Sequence, residues 1–204
     1  VEATIHQLNT DHGITRDTAK LAFASLTIGS ASVAAVLTHE SLAPDACRLV
    51  GGDYANDTTQ VHLCHSGRDE AVSGEMRPLM TTDSEALMHA GVALGASAYR
   101  RFLTSVGWAP GEVSKSICHQ VGLGHRKLML GALELSPAND FITLHELGNT
   151  GSAACPVTLA RAAEAGFLQP GDRTALLGIG SGINTVMLGL EWQPCPVVGG
   201  NLTM

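Results

Sequence analysis

Ile117-Cys118-His119-Gln120-Val121-Gly122 is a short apolar run that ends in a polar pair and a glycine. A run of this kind reads as the end of a buried strand, and the end of a strand is where α/β proteins place ligands and catalytic groups. Two later stretches repeat the arrangement. Leu147-Gly148-Asn149-Thr150-Gly151 sets an Asn among glycines after an apolar run, and Leu177-Gly178-Ile179-Gly180-Ser181-Gly182 ends a strand-like run in a Gly-rich turn. Each places a polar group where a glycine lets backbone come close.

Outward from these stretches the pattern alternates. The clearest helix spans Ser84 to Val106, where Leu87, Ala90, Ala93, Leu94, Ala98, Phe102 and Leu103 recur at helical spacing. Asp83 or Ser84 caps its start, Gly107 suits its exit and Pro110 follows. The reading continues as a strand at Glu112–Cys118, a helix at Leu123–Leu133, a strand at Phe141–Leu144 and a small-residue helix at Ser152–Ala165. Two adjacent strands, Thr174–Ile179 and Ile183–Trp192, complete it. This alternation predicts an α/β fold, a layered sheet with packed helices.

The first 81 residues are less regular. Residues 1 to about 20 read as a polar loop with a short helix at Thr15–Phe23. Thr27–Thr38 reads as a Gly/Ser turn running into a small-residue strand, and Cys47–Asp53 as another strand. Residues 54–81, with Pro78, read as a surface excursion or linker, and the segment after Trp192 as a surface tail.

Composition narrows the function. The chain has 204 residues, enough for one domain with a real core or two small ones. A net charge of −7 without a Lys/Arg cluster argues against nucleic acid, because phosphate binding needs concentrated positive charge. Arg100-Arg101 is expected at the end of a helix, as a dipole partner or a solvated face. No segment has the uninterrupted apolar length to span a membrane, and no signal-peptide pattern opens the sequence. Cys47, Cys64, Cys118, Cys155 and Cys195 are odd in number and irregularly spaced, which reads as reduced thiols in a cytoplasmic protein. His62-x-Cys64-His65 lacks a fourth ligand at suitable spacing, so no metal is expected.

The three polar groups have ordinary explanations one at a time. His119 alone reads as a structural His on a backbone carbonyl, and Asn149 alone as a turn residue. Together, a neutral His N–H and an Asn N–H₂ stabilise an enolate or oxyanion without adding a full charge. The Gly-rich turn at 178–182 lacks the Gly-Lys-Ser/Thr and the helix of a P-loop, and exposed backbone N–H groups facing an oxyanion fit it better.

As an ordered set, these motifs resemble the β-ketoacyl-acyl-carrier-protein synthase III family of thiolase-fold condensing enzymes, from about Ala22 to Trp192. Leu26 to Leu37 looks like the strand that follows the family's nucleophile region. Cys118-His119-Gln120-Val121 and the Leu-Leu-Gly-Ile-Gly-Ser-Gly-Ile-Asn run at 176–184 look most like the olefin-pathway enzymes, which join two acyl-CoA chains head to head, with the β-lactone condensing enzymes close by. The resemblance implies a thiolase-like fold made of the end of the N-terminal half with its connecting segment (1–81), the C-terminal half (82–192) and a tail (193–204). It implies a Cys-His-Asn site in which His119 and Asn149 are catalytic and backbone near Ser181 and Gly182 forms the oxyanion hole.

The family's nucleophilic Cys sits at the start of a buried helix in the first half, and none of the five cysteines here is suitably placed. The resemblance therefore implies either one subunit of a split enzyme, with a partner chain that carries the N-terminal half and the Cys in a cytoplasmic dimer, or a fragment of a longer chain that carries them itself. Acyl-CoA or an acyl-carrier protein is implied as substrate, with no cofactor and no metal. The general base is expected from the other part, and Glu146 is not nominated on sequence proximity alone. Two alternatives stand beside Claisen condensation of two acyl-CoA. One is decarboxylative condensation with malonyl-carrier protein, which Gly122 disfavours because the initiation enzymes usually have Asn there. The other is a structural partner that performs no chemistry.

Overall fold

The computed structural model describes residues 2–10, 12–65 and 81–199. Its centre is a four-stranded sheet in the order β1 (Arg48–Asn56), β6 (Asn184–Glu191), β5 (Arg173–Gly180), β4 (Lys115–Cys118). β4 runs parallel to β5, with Ile117 opposite Leu176. β5 and β6 form an antiparallel hairpin whose tip is Ser181–Ile183, and β1 closes the far edge antiparallel to β6. The sheet thus crosses the boundary at residue 81, since β1 pairs with β6 along its whole length.

The period-2 alternation of the strands sorts side chains into two layers. Cys118, Ala175, Leu177 and Met187 face α3 (Ser84–Val106) and α4 (Leu123–Ala132), packing with Phe102, Leu103, Met129 and Leu130. Ile117, Leu176 and Leu190 face the opposite way, onto Ala162 of α6 (Ala154–Glu164), Leu168 and Trp192. His119 follows the end of β4 and Ser181-Gly182 follow the end of β5, whereas Asn149 follows a short helix and is placed by a bridge to Ile28.

α3 begins as its sequence predicts, with Asp83 accepting the Ala86 N–H at 3.0 Å, and ends with Gly107 in the left-handed region at φ 70°. Its buried stripe differs from the predicted one. Ala98, Phe102 and Leu103 are buried, but so are Gly91 and Gly95, whereas Ala93 is exposed. The glycines admit neighbours: a Cβ at Gly91 would stand 2.8 Å from Ile179 and one at Gly95 2.9 Å from Met129. Arg101, expected at the end of the helix as a dipole partner or solvated face, lies just before the last turn and bridges to β1, with Nε 3.0 Å from an Asp53 oxygen.

Three other expectations change. The polar opening segment is helical, as α1 (Glu2–Thr10), and the short helix after it is α2 (Arg16–Leu26). Thr27–Thr38 is not a strand: only Ile28 makes a bridge, to Asn149, and residues 30–39 are exposed without regular structure. Phe141–Leu144 is not a strand either. Asp140 alone bridges to Ser116, after which the chain turns into α5 (Leu144–Leu147). Within 54–81, a 3₁₀ stretch at Thr58–Leu63 leads into β2 (Cys64–His65), which pairs with β3 (Thr81–Thr82). Pro78 and the last residues of the tail lie outside the described residues. The tail through residue 199 has no regular structure, and Cys195 packs on the α6 layer.

Candidate active site

β4 delivers His119. The His119 N–H continues the ladder by donating to the Leu177 carbonyl at 3.0 Å, and the chain then bends toward α4 as the Val121 N–H donates to the His119 carbonyl at 3.2 Å. A buried carboxylate fixes the strand end from behind. Asp140 accepts from the Ser116 hydroxyl at 2.9 Å, the Cys118 N–H at 3.1 Å and Arg126 Nε at 2.6 Å. Arg126 also donates to the Pro137 and Asp140 carbonyls, so this buried charge is paired and its oxygens are occupied.

The His119 imidazole is held neutral. Burial lowers its pKa from the ordinary value to about 4, and nearby His125 adds to the effect. His125 is itself buried on α4 and lowered in the same direction by desolvation. At neutral pH, His119 is therefore an N–H donor without charge.

Asn149 is fixed from two sides. Its N–H donates to the Thr27 carbonyl and its carbonyl accepts from the Gly29 N–H, both at 2.8 Å. Gly29 is needed for this approach, because a Cβ there would run into the Leu147 carbonyl oxygen. Gly148 leads in with φ 65°, in the left-handed region where glycine is favoured. The side chain is oriented by the Gly151 N–H, which donates to Asn149 Oδ1 at 3.0 Å. The acceptor end of the amide is thus engaged, and its N–H₂ has no acceptor among the described residues.

A cleft of about 370 Å³ lies between the two segments, lined by Val121 and Gly122 after His119 and by Leu144, His145, Leu147 and Gly148 before Asn149. Leu26, Thr27 and Ile28 complete its wall. His145 is a cleft residue that no motif in the sequence singles out. Glu146 is exposed.

The Gly-rich turn is the tip of the β5–β6 hairpin. Asn184 Nδ2 donates to the Ser181 carbonyl at 2.8 Å, and Ile183 exchanges backbone hydrogen bonds with Asp57 at 2.8 Å each. Among the described residues, neither the Ser181 nor the Gly182 N–H finds an acceptor, which suits both to an incoming oxyanion. The Ser181 hydroxyl lies 3.4 Å from Cys64 Sγ, which also lies 3.6 Å from Thr82 Oγ1. The Cys64 segment therefore packs beside this turn, a neighbour its loop-like sequence did not announce.

The cysteines offer no activated thiolate at a helix N-terminus. Burial pushes Cys118 well above the ordinary thiol range and Cys155 up to about 12, with Asp140 adding to both. Burial also raises Cys47 and Cys195. Cys64 lies in β2. Among the described residues, no group of three or more His, Cys, Asp or Glu side chains is placed to hold a metal ion.

The sequence and the fold have known counterparts. Residues 103–192 match the family described as 3-oxoacyl-[acyl-carrier-protein] synthase III, C terminal. These residues are a synthase III C-terminal domain. The domain contains His119, Asn149, Ser181 and Gly182 together. The chain is 41% identical to the acyl-CoA:acyl-CoA alkyltransferase of Shewanella oneidensis over 83% of its length and 49% of that protein. It is 32% identical to the enzyme of the same name from Xanthomonas campestris over 94% of its length and 54% of that protein.

A crystal structure of Xanthomonas campestris OleA with bound lauric acid and lauroyl-CoA superposes with a TM-score of 0.80 at 30% identity, covering 94% of this chain and 54% of that one. The fold around the synthase III C-terminal domain is thus the thiolase-like one expected from the motifs. The chain spans about half the length of the curated relatives it matches.

Proposed function

We propose that this chain provides the enolate and oxyanion side of a cytoplasmic acyl-thioester condensing enzyme, with the nucleophilic Cys on a partner chain. The observation that carries the reading is a pair of neutral donors: an imidazole kept uncharged by burial and an amide whose Oδ1 already accepts from the Gly151 N–H. Both suit an oxygen that gains negative charge during reaction.

In this mechanism an acyl group passes from acyl-CoA to the partner's thiolate, releasing CoA. A second acyl-CoA binds with its thioester oxygen facing His119 and Asn149. A base on the partner removes its α-proton, and the two donors hold the enolate oxygen. The α-carbon attacks the acyl-Cys carbonyl, and the Ser181 and Gly182 N–H groups hold the resulting oxyanion. Collapse of that intermediate expels the thiolate and leaves a β-keto acyl-CoA. His119 also stands ready to move a proton. In this proposal residues 1–81 close the N-terminal thiolase half, 82–192 form the C-terminal half, and the complex is a dimer of unlike chains. No cofactor enters the cycle.

The support for acyl-CoA over a carrier-protein substrate is the likeness to two acyl-CoA:acyl-CoA alkyltransferases at 41% and 32% identity. The experiment is purification with a Cys-bearing partner, then assay with acyl-CoA alone and with acyl-CoA plus malonyl-carrier protein. We expect β-keto product from acyl-CoA alone, reduced on the order of 10²–10⁴-fold by His119→Ala. Product only in the malonyl arm would replace the head-to-head chemistry with the decarboxylative one. Undiminished product in the variant would reduce this chain to a structural partner.

A further inference from the structure

We infer that Gln120 is the positioning residue of the site, a buried amide that fixes the His119 strand end to the turn carrying Asn149. Gln120 is only 4% exposed, and both ends of its side chain are engaged. Nε2 donates to the Cys118 carbonyl at 2.6 Å, back across the residue that bears the imidazole. Oε1 accepts from the Thr143 N–H and the Leu144 N–H, both at 3.1 Å. Those amides begin α5, and the Gly148 N–H that ends it donates to the Leu144 carbonyl at 3.0 Å, one residue before Asn149. One side chain therefore joins the backbone just before His119 to the helix that leads into Asn149. Thr143 is in turn pinned to α6 by a 2.6 Å hydroxyl contact with Thr158.

Asp140 also ties β4 to the loop that precedes α5, where the Phe141 N–H donates to the Ser116 carbonyl at 3.2 Å, and Thr27 and Gly29 anchor Asn149 to the segment after α2. Among the described residues, Gln120 is the side chain that joins the backbone beside His119 directly to the start of α5. An amide is the group this task requires, because it donates at one end and accepts twice at the other without charge. A carboxylate places an acceptor against the Cys118 carbonyl, whereas a protonated carboxyl reproduces all three hydrogen bonds. A thioether fills the volume and makes none of them. The inference rests on the proposed roles of His119 and Asn149, but the link itself is independent of them.

The test compares Q120E and Q120M in the complex with the Cys-bearing chain, with kcat and KM for condensation followed from pH 5.5 to 8.5. Displacing a catalytic group by about an ångström costs on the order of 10²-fold in rate. We expect Q120M to lose about that factor in kcat at every pH, with KM within about threefold and acyl transfer to the partner's Cys unchanged. Q120E is expected to work near the native rate at the acid end, where the introduced carboxyl is protonated. It should fall toward Q120M as pH rises and the carboxyl ionises.

Native-like kcat in both variants would overturn the inference. So would a Q120E deficit that is the same at every pH, which marks loss of packing rather than loss of the link. A second readout needs no activity: the pH titration of the His119 imidazole by NMR in the full chain. In Q120M the His119 pKa should move up from about 4 toward the ordinary value as the strand end loosens. An unmoved titration overturns the inference even if the native complex proves unable to condense, an outcome that would by itself count only against the proposed function.

Discussion

At His119 the chemistry depends on which protonation state meets the substrate. Desolvation lowers its pKa to about 4, with His125 adding to the shift, so the imidazole is neutral throughout the physiological range. The shift has a thermodynamic consequence. Between the ordinary value of 6.5 and 4 the unfolded chain binds a proton that the folded chain refuses, so stability is lost as pH falls through that window. The full loss from His119 is on the order of 3 kcal/mol once pH is below both values. Urea unfolding at pH 7 and pH 4.5 should show a steeper decline for the native chain than for His119→Gln, with the remaining slope in the variant including His125. Equal slopes would show that His119 is not held neutral by the fold.

His119 and Asn149 stand out in the sequence because each follows an apolar run beside a glycine. Gln120 belongs to the same motif, but a local pattern cannot show that its amide reaches residues 143 and 144.

At the scale of elements, close backbone approaches decide what the site can be. The parallel bridge from Ile28 to Asn149 depends on Gly29, where any Cβ meets the rigid Leu147 carbonyl rather than a flexible side chain. Gly29→Ala should therefore lower stability by about 1–3 kcal/mol and loosen Asn149. Thermal unfolding together with hydrogen exchange at the Asn149 amide checks this. A variant that melts with the native chain and protects that amide equally would show that the bridge is dispensable.

The helices with strong spacing and the strands β4, β5 and β6 were readable, the last because apolar runs of strand length end in turn signals. Phe141–Leu144 was misread because its apolar run looks like strand, yet the Thr143 and Leu144 amides are taken by Gln120 instead of a neighbouring strand. Thr27–Thr38 was misread because small β-branched residues suggest a strand without showing who pairs with it. The stripe of α3 was partly misread because Gly91 and Gly95 carry no hydrophobic signal, although Ile179 and Met129 approach both closely.

At the scale of the whole molecule, the chain presents apolar surface that its own layers do not cover. Val36 is 89% exposed and Leu37 76% exposed in a segment with no regular structure, and Tyr54 opposite Val186 leaves a further apolar pair on the sheet. Such surface suits contact with further protein.

The most direct test is a chase. The Cys-bearing partner is first loaded with a labelled acyl group, and this chain and unlabelled acyl-CoA are then added. The account predicts that labelled β-keto product forms only when this chain is present, and that Asn149→Ala slows its formation on the order of 10²-fold or more while labelled acyl-Cys accumulates. Product formed at the same rate without this chain, or with Asn149→Ala in its place, would contradict it.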